Sequence, residues 1–136
     1  MNTSIRGFTL LEMLVTVIII GILAAIAIPS FQKFIYNSRL ESLRGDLLAN
    51  AQILERYYAQ NHTFTGVPAS LLKQHEYFDI ALDATQTTAN NFVLVGTPNS
   101  SYASSEDRSM RVDSNGVVTV CTPDTSSSSG KSCVMY

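Results

Sequence analysis

The feature that most constrains this chain is an apolar run that begins at Phe8 and does not end until Ile28. Between Met13 and Ile28 the only polar side chain is Thr16. Phe8 to Ile28 is 21 residues, and a helix of that length, rising about 1.5 Å per residue, spans about 31 Å. The hydrocarbon core of a bilayer is about 30 Å thick. The run can therefore cross a membrane. Glu12 is the residue out of place. An acid in such a segment costs roughly 2.5–3.5 kcal/mol at the bilayer centre and less near an interface, so its presence points to function. A secretory signal or plain anchor is the competing reading. Such a signal has a charged leader, a shorter core and a small-residue cleavage site at its far end. Here Arg6 is the only charge before the core and the core is longer, although Ala24-Ala25-Ile26-Ala27 imitates that cleavage site.

Gly7-Phe8-Thr9-Leu10-Leu11-Glu12, followed by the apolar helix and Pro29, resembles the class III leader of type IV pilins and of type II secretion pseudopilins. The resemblance is strongest over residues 7–30. It implies that a membrane prepilin peptidase/methyltransferase cuts between Gly7 and Phe8 and methylates the new amino group of Phe8. It also implies that Glu12, the fifth residue after the cut, pairs with the N-terminal amine of a neighbouring subunit during assembly. A buried carboxylate and a buried ammonium are each expensive alone, and each removes the other's penalty only in the correct stagger.

Pro29 lacks an N–H and its ring crowds the preceding turn, so a kink is expected there, with Gly21 a second weak point. After Pro29 the pattern turns amphipathic. Phe31, Phe34, Ile35, Leu40, Leu43, Leu47, Ala51, Leu54 and Tyr58 step by three or four residues and form one stripe, read as core. One helix from Phe8 to about Gln60 is predicted, ending at the Gly66 and Pro68 punctuation. Ser70 is expected to cap a short turn. Strands are predicted over residues 77–82, 91–95, 108–112 and 117–121, the last two joined through Asn115-Gly116, a strong hairpin signal. The fold class is therefore α+β, a long N-terminal helix on a small antiparallel sheet of about four strands, and the resemblance implies the type IV pilin fold. The organisation is a leader (1–7), a membrane half-helix (8–30), an amphipathic half-helix (31–60) and a β head (61–136). Tyr57-Tyr58, Asn61, Phe64 and the Leu71-Leu72 pair resemble the minor-pilin branch.

The head is under about 90 residues, so its core is thin and a staple helps. In a domain exported beyond the inner membrane, Cys121 and Cys133 read as a disulfide worth about 3 kcal/mol. The polar stretch Thr122 to Ser132 that they bound reads as a surface loop resembling the D-region of type IV pilins. Two cysteines without helping histidines make a poor zinc site, and His62 and His75 are isolated in sequence, so no metal and no cofactor are expected. Gly130-Lys131-Ser132 lacks the preceding glycine and following helix of a phosphate loop. No nucleophile with a base and an orienting group can be recognised, so an enzyme is not expected. Asn61-His62-Thr63 and Asn99-Ser100-Ser101 fit the N-glycosylation pattern.

Formal charge is −2, and from Tyr57 onward four basic residues face seven acidic ones. This disfavours DNA as a partner, since a basic stripe is its usual footprint. The sequence thus suggests a minor pilin held in the bacterial inner membrane before assembly and in an extracellular filament after it. Its expected partners are other pilin subunits, the prepilin peptidase, the inner-membrane assembly machinery and, before assembly, the lipid bilayer. The alternatives are a DNA-uptake receptor pilin and a type II secretion pseudopilin.

Overall fold

A computed structural model describes residues 7–123 and 131–136. Helix α1 spans Leu10–Asn61 with Pro29 inside it, and a 3-10 turn occupies Ala69–Leu71. Five strands follow: β1 (Phe78–Leu82), β2 (Val93–Pro98), β3 (Ser109–Asp113), β4 (Val118–Pro123) and β5 (Lys131–Met135). They form one antiparallel sheet in chain order, so strands consecutive in sequence are neighbours in the sheet.

Contacts divide the chain into a unit ending at Asn37 and a unit from Ser38 to Tyr136. In the first unit, the apolar side chains of α1 from Leu10 to Phe34 are exposed, and Ile35 is intermediate. In the second, Leu40, Leu43, Leu47 and Leu54 are buried at three- and four-residue spacing, the stripe expected of a helix lying on a sheet. They share the core with Phe78, Ile80, Phe92, Leu94, Met110 and Val112. Gly96 of β2 makes the close approach possible. A Cβ there would stand 2.7 Å from Leu43 Cδ1, so the missing side chain is the hole that Leu43 fills.

The α+β architecture agrees with the sequence reading, with three departures. First, the sheet has a fifth strand. Thr122, Pro123, Lys131 and Ser132, expected in a loop, lie in the β4–β5 ladder, where Cys121 sits directly opposite Cys133. The covalent link and the ladder override the polar composition; the rest of that loop lies outside the described residues. Second, Phe31 and Phe34 are 62% and 67% exposed. The buried stripe begins only at Leu40, two residues into the second unit. Third, Ser70 caps nothing: Pro68 holds the N-cap position of the 3-10 turn with no side-chain bond.

α1 ends where His62 enters the left-handed region (φ 55°), its N–H bonded to Tyr58 O at 2.7 Å, an αL termination with histidine in the usual glycine place. The β3–β4 turn is the one expected. Asp113 Oδ1 accepts from the N–H groups of Asn115 and Val117, both at 2.9 Å, and Gly116 takes φ 78°.

Candidate functional site

The N-terminal site is built on the first turn of α1. Thr9 is its N-cap: the Thr9 hydroxyl accepts from the Glu12 N–H at 3.2 Å, and the Thr9 carbonyl accepts from Met13 N–H, also at 3.2 Å. Thr9-x-x-Glu12 has capping-box spacing, a signal the sequence carried and our sequence reading missed. The cap fixes where the helix begins and leaves Phe8 outside it, 76% exposed. Thr16 donates its hydroxyl to the Glu12 carbonyl. Gly7, Phe8, Thr9 and Glu12 line one shallow hollow, with the carboxylate exposed in the isolated chain. A Cβ on Gly7 would meet nothing within 4 Å, so folding does not demand glycine there. Pro29 lies apart from this group, 17 residues after Glu12 on α1, or about 25 Å at helical rise. From Leu10 to Ile28 the large apolar side chains are 46–85% exposed, and the stretch is long and apolar enough to cross a membrane.

The head carries the second set of predicted residues. Cys121 and Cys133 are bonded to each other across the β4–β5 ladder. Tyr136 continues that ladder and donates its hydroxyl to Glu41 Oε1 on α1, which raises the phenol's pKa. Among the described residues, no three His, Cys, Asp or Glu side chains converge on a metal site. His75 is half-buried. Its Nδ1 accepts from Tyr77 N–H at 3.1 Å and Nε2 lies 3.2 Å from Ser42 Oγ. With Nδ1 accepting, the neutral ring carries its proton on Nε2, facing Ser42, and burial holds its pKa below the ordinary value.

The basic side chains of the head are largely engaged by acids or rings. Lys73 pairs with Asp46 at 2.8 Å and Arg111 with Asp83 at 2.6 Å. Arg108 donates through Nε and Nη2 to the two oxygens of Glu106, which is 5% exposed. Burial alone would push the Glu106 carboxyl up, but the bonds from Arg108 outweigh it and hold the carboxyl below its ordinary range. The Thr85 hydroxyl, with other bonds, lowers Asp83. The Arg39 guanidinium sits 4.0 Å from the Tyr77 ring centre and 4.8 Å from that of Tyr102. These engagements tie loops to the helix and the sheet and leave no basic stripe among the described residues.

Comparison with known proteins identifies the architecture. A family model described as type IV minor pilin ComP, DNA uptake sequence receptor, matches residues 29–123, and the prokaryotic N-terminal methylation motif matches residues 2–28. The chain belongs to the type IV minor pilin family. This minor pilin is 33% identical over 122 residues to the type IV major pilin protein PilE1 of Neisseria gonorrhoeae, covering 82% of this chain and 63% of the relative. A fimbrial protein of Neisseria meningitidis serogroup A is 32% identical, with 82% of this chain and 73% of the relative covered. The minor pilin spans a little under two-thirds of the length of two of the gonococcal pilins it matches, 63% and 64%. Among solved structures it is similar to the non-core minor pilin PilV of Neisseria meningitidis, with a TM-score of 0.58, 31% identity, and 65% of this chain and 89% of that one covered. The minor DNA-uptake pilin ComP of Neisseria subflava shares the fold, with a TM-score of 0.52 at 20% identity and coverages of 71% and 94%. Family and fold are structural rather than enzymatic.

Proposed function

We propose that this minor pilin is cut between Gly7 and Phe8, methylated on Phe8, held in the inner membrane by the first half of α1, and then packed into a type IV pilus. The observation that carries this reading is the exposed apolar half-helix with one carboxylate, Glu12, at its start. A surface apolar on all sides needs a solvent of lipid or of other helices, and both are met in turn by a subunit that moves from membrane to filament. Glu12 sets the register by pairing with the amine of a neighbouring subunit, and Pro29 supplies the weak point at which the packed helix adjusts. Other pilin subunits, the prepilin peptidase and the inner-membrane assembly machinery are the partners. The head adds adhesion, aggregation, motility or competence to the filament.

Quantitative mass spectrometry of sheared filaments tests this. A trace of the chain beginning at methylated Phe8, on the order of tenfold lower in Glu12→Ala, is the expected result; tenfold corresponds to about 1.4 kcal/mol. Normal incorporation of Glu12→Ala would sink the register role. Absence from filaments, with a processed form in the membrane, would favour a secretion pseudopilin.

The match of residues 29–123 to a DNA uptake sequence receptor family supports a second reading, duplex DNA as the ligand of the head. The engaged cations weigh against it. Duplex binding by filaments that weakens steeply with salt, and is lost when this subunit is deleted, would establish it.

A further inference from the structure

Between the apolar run of α1, which ends at Ile28, and its first buried leucine, Leu40, lies a stretch that neither a bilayer core nor the sheet covers. Phe31 and Phe34 stand in it, 62% and 67% exposed, with Lys33 exposed between them. At helical spacing the two rings share one side of α1 and Lys33 projects from the other. Between Glu12 and Glu41 the only charged residues are Lys33 and Arg39, both basic. Arg39 lies over the rings of Tyr77 and Tyr102. Among the described residues, no acid and no hydrogen bond engages Lys33.

Helix continuity fixes what surrounds these residues while Phe8 to Ile28 lie in a bilayer. All three belong to the first unit, and α1 runs unbroken from Leu10 to Asn61. At about 1.5 Å per residue, the Cα atoms of Phe31, Lys33 and Phe34 stand about 4.5, 7.5 and 9 Å beyond that of Ile28. The headgroup layer on each side of the hydrocarbon is roughly 5–7 Å deep. Helical side chains lean back toward the helix N-terminus, here toward the membrane core. The two rings therefore reach the boundary between hydrocarbon and headgroups. The Lys33 stem leans the same way and sets its ammonium at the level of the lipid phosphates.

We propose that Phe31, Phe34 and Lys33 form a seat for acidic phospholipid, with the rings at the hydrocarbon boundary and the Lys33 ammonium on a lipid phosphate. The seat rests on the membrane reading of residues 8–28, and adds to it the class of lipid and the depth at which α1 rides. Lipid is the occupant because it supplies both halves of what these side chains need, an apolar boundary and negative charge. A second copy embedded at the same depth would cover the rings, but it offers no acid between its own Glu12 and Glu41.

The chain contains no tryptophan, so one introduced indole reports alone. The full-length chain is reconstituted as Phe34→Trp, and separately as Ile18→Trp, in vesicles of phosphatidylcholine mixed with phosphatidylglycerol. The lipids carry bromine either near the headgroup end of an acyl chain or deep along it. Ile18→Trp should be quenched best by the deep bromine, which tests the membrane reading by itself. Phe34→Trp should be quenched best by the shallow one. Shallow bromine on phosphatidylglycerol should outcompete the same label on phosphatidylcholine about fivefold at Phe34→Trp, the effect of one lysine beside an acidic surface. Adding Lys33→Gln should abolish that preference, and Lys33→Arg should keep it. Deep quenching at Ile18→Trp with none, or only deep quenching, at Phe34→Trp would overturn the seat and leave the anchor standing. Equal quenching by acidic and neutral lipid, or a preference that survives Lys33→Gln, would do the same. Failure of deep quenching at Ile18→Trp would remove the membrane reading, and the seat with it.

Discussion

Along α1, Leu14, Ile18 and Ile22 are as apolar as Leu40, Leu43 and Leu47, yet the first three are 51–59% exposed and the second three at most 1%. Apolar character is common to both stretches; what differs is its distribution. From Ser38 on, Arg39, Glu41, Arg44 and Asp46 interleave with the leucines and confine them to one stripe, which one sheet can cover. Before Pro29 the apolar side chains run around the whole cylinder, and no sheet can cover more than part of them. A stripe is an instruction for folding within the chain, and an apolar cylinder one for a surrounding medium.

The sharpest way to break that comparison is to truncate equivalent leucines. Leu43→Ala or Leu47→Ala should lower head stability by about 2–5 kcal/mol. Leu14→Ala should leave the thermal transition of the detergent-solubilised chain where it is, as followed by near-ultraviolet circular dichroism. Gly96→Ala should cost about 1–3 kcal/mol alone, because the added methyl overlaps Leu43, and much less in the Leu43→Ala background. Next comes the staple. Reducing Cys121–Cys133, which closes a separation of 12 residues, should cost the head about 3 kcal/mol. A denaturant series with and without reductant would measure it, and the anchor half of α1 should not respond.

Asn50 then sharpens the comparison from inside the stripe. It is 0% exposed and grips the backbone of Lys73 by both its N–H and its C=O, each at 2.8 Å. Asn50→Ala orphans those groups and should cost about 1–3 kcal/mol in the same melts. The smallest effect is that of pH. Burial, the leading cause, holds His75 below its ordinary 6.5; Asp46 and Glu76 oppose the shift and Lys73 adds to it. The unfolded chain then takes the proton more readily. The contribution of His75 is therefore whole above pH 6.5 and is lost as pH falls below that value and through the folded pKa. His75→Asn should flatten this limb of the stability profile. Glu106 and Asp83 have the same sign, with contributions that fade only beneath their ordinary 4.5 and 3.8.

Much of this architecture is legible in local pattern. The helix, four strands, the Asn115-Gly116 turn and the cysteine pair all announce themselves through periodicity, turn chemistry or export logic. β5 does not, because a short strand after a serine-rich stretch is fixed by ladder and disulfide rather than by alternation. Asn50 and Gln74 escape for a related reason. Their worth lies in backbone groups of Lys73 and Ile80, and which groups need a partner is settled only when the sheet has edges. Phe31 and Phe34 mark the converse error: spacing places them on the stripe, but spacing cannot say how far along the helix the sheet reaches. At the N-terminal site, the acid and glycine stand out at once, whereas the Thr9 cap needed the helix start to be known.

The β3–β4 turn has a chemical consequence as well as a conformational one. Asn-Gly pairs are where proteins age, because the glycine nitrogen attacks the asparagine side chain and leaves an aspartyl or isoaspartyl residue. Here the Gly116 N–H donates to Asp113 O at 3.0 Å, so the attacking nitrogen is occupied as long as the hairpin is closed. Deamidation of Asn115 thereby becomes a clock that runs only while the turn is open. Across an ageing population of molecules, the deamidated fraction at Asn115 then grows with the total time their hairpins have stood open.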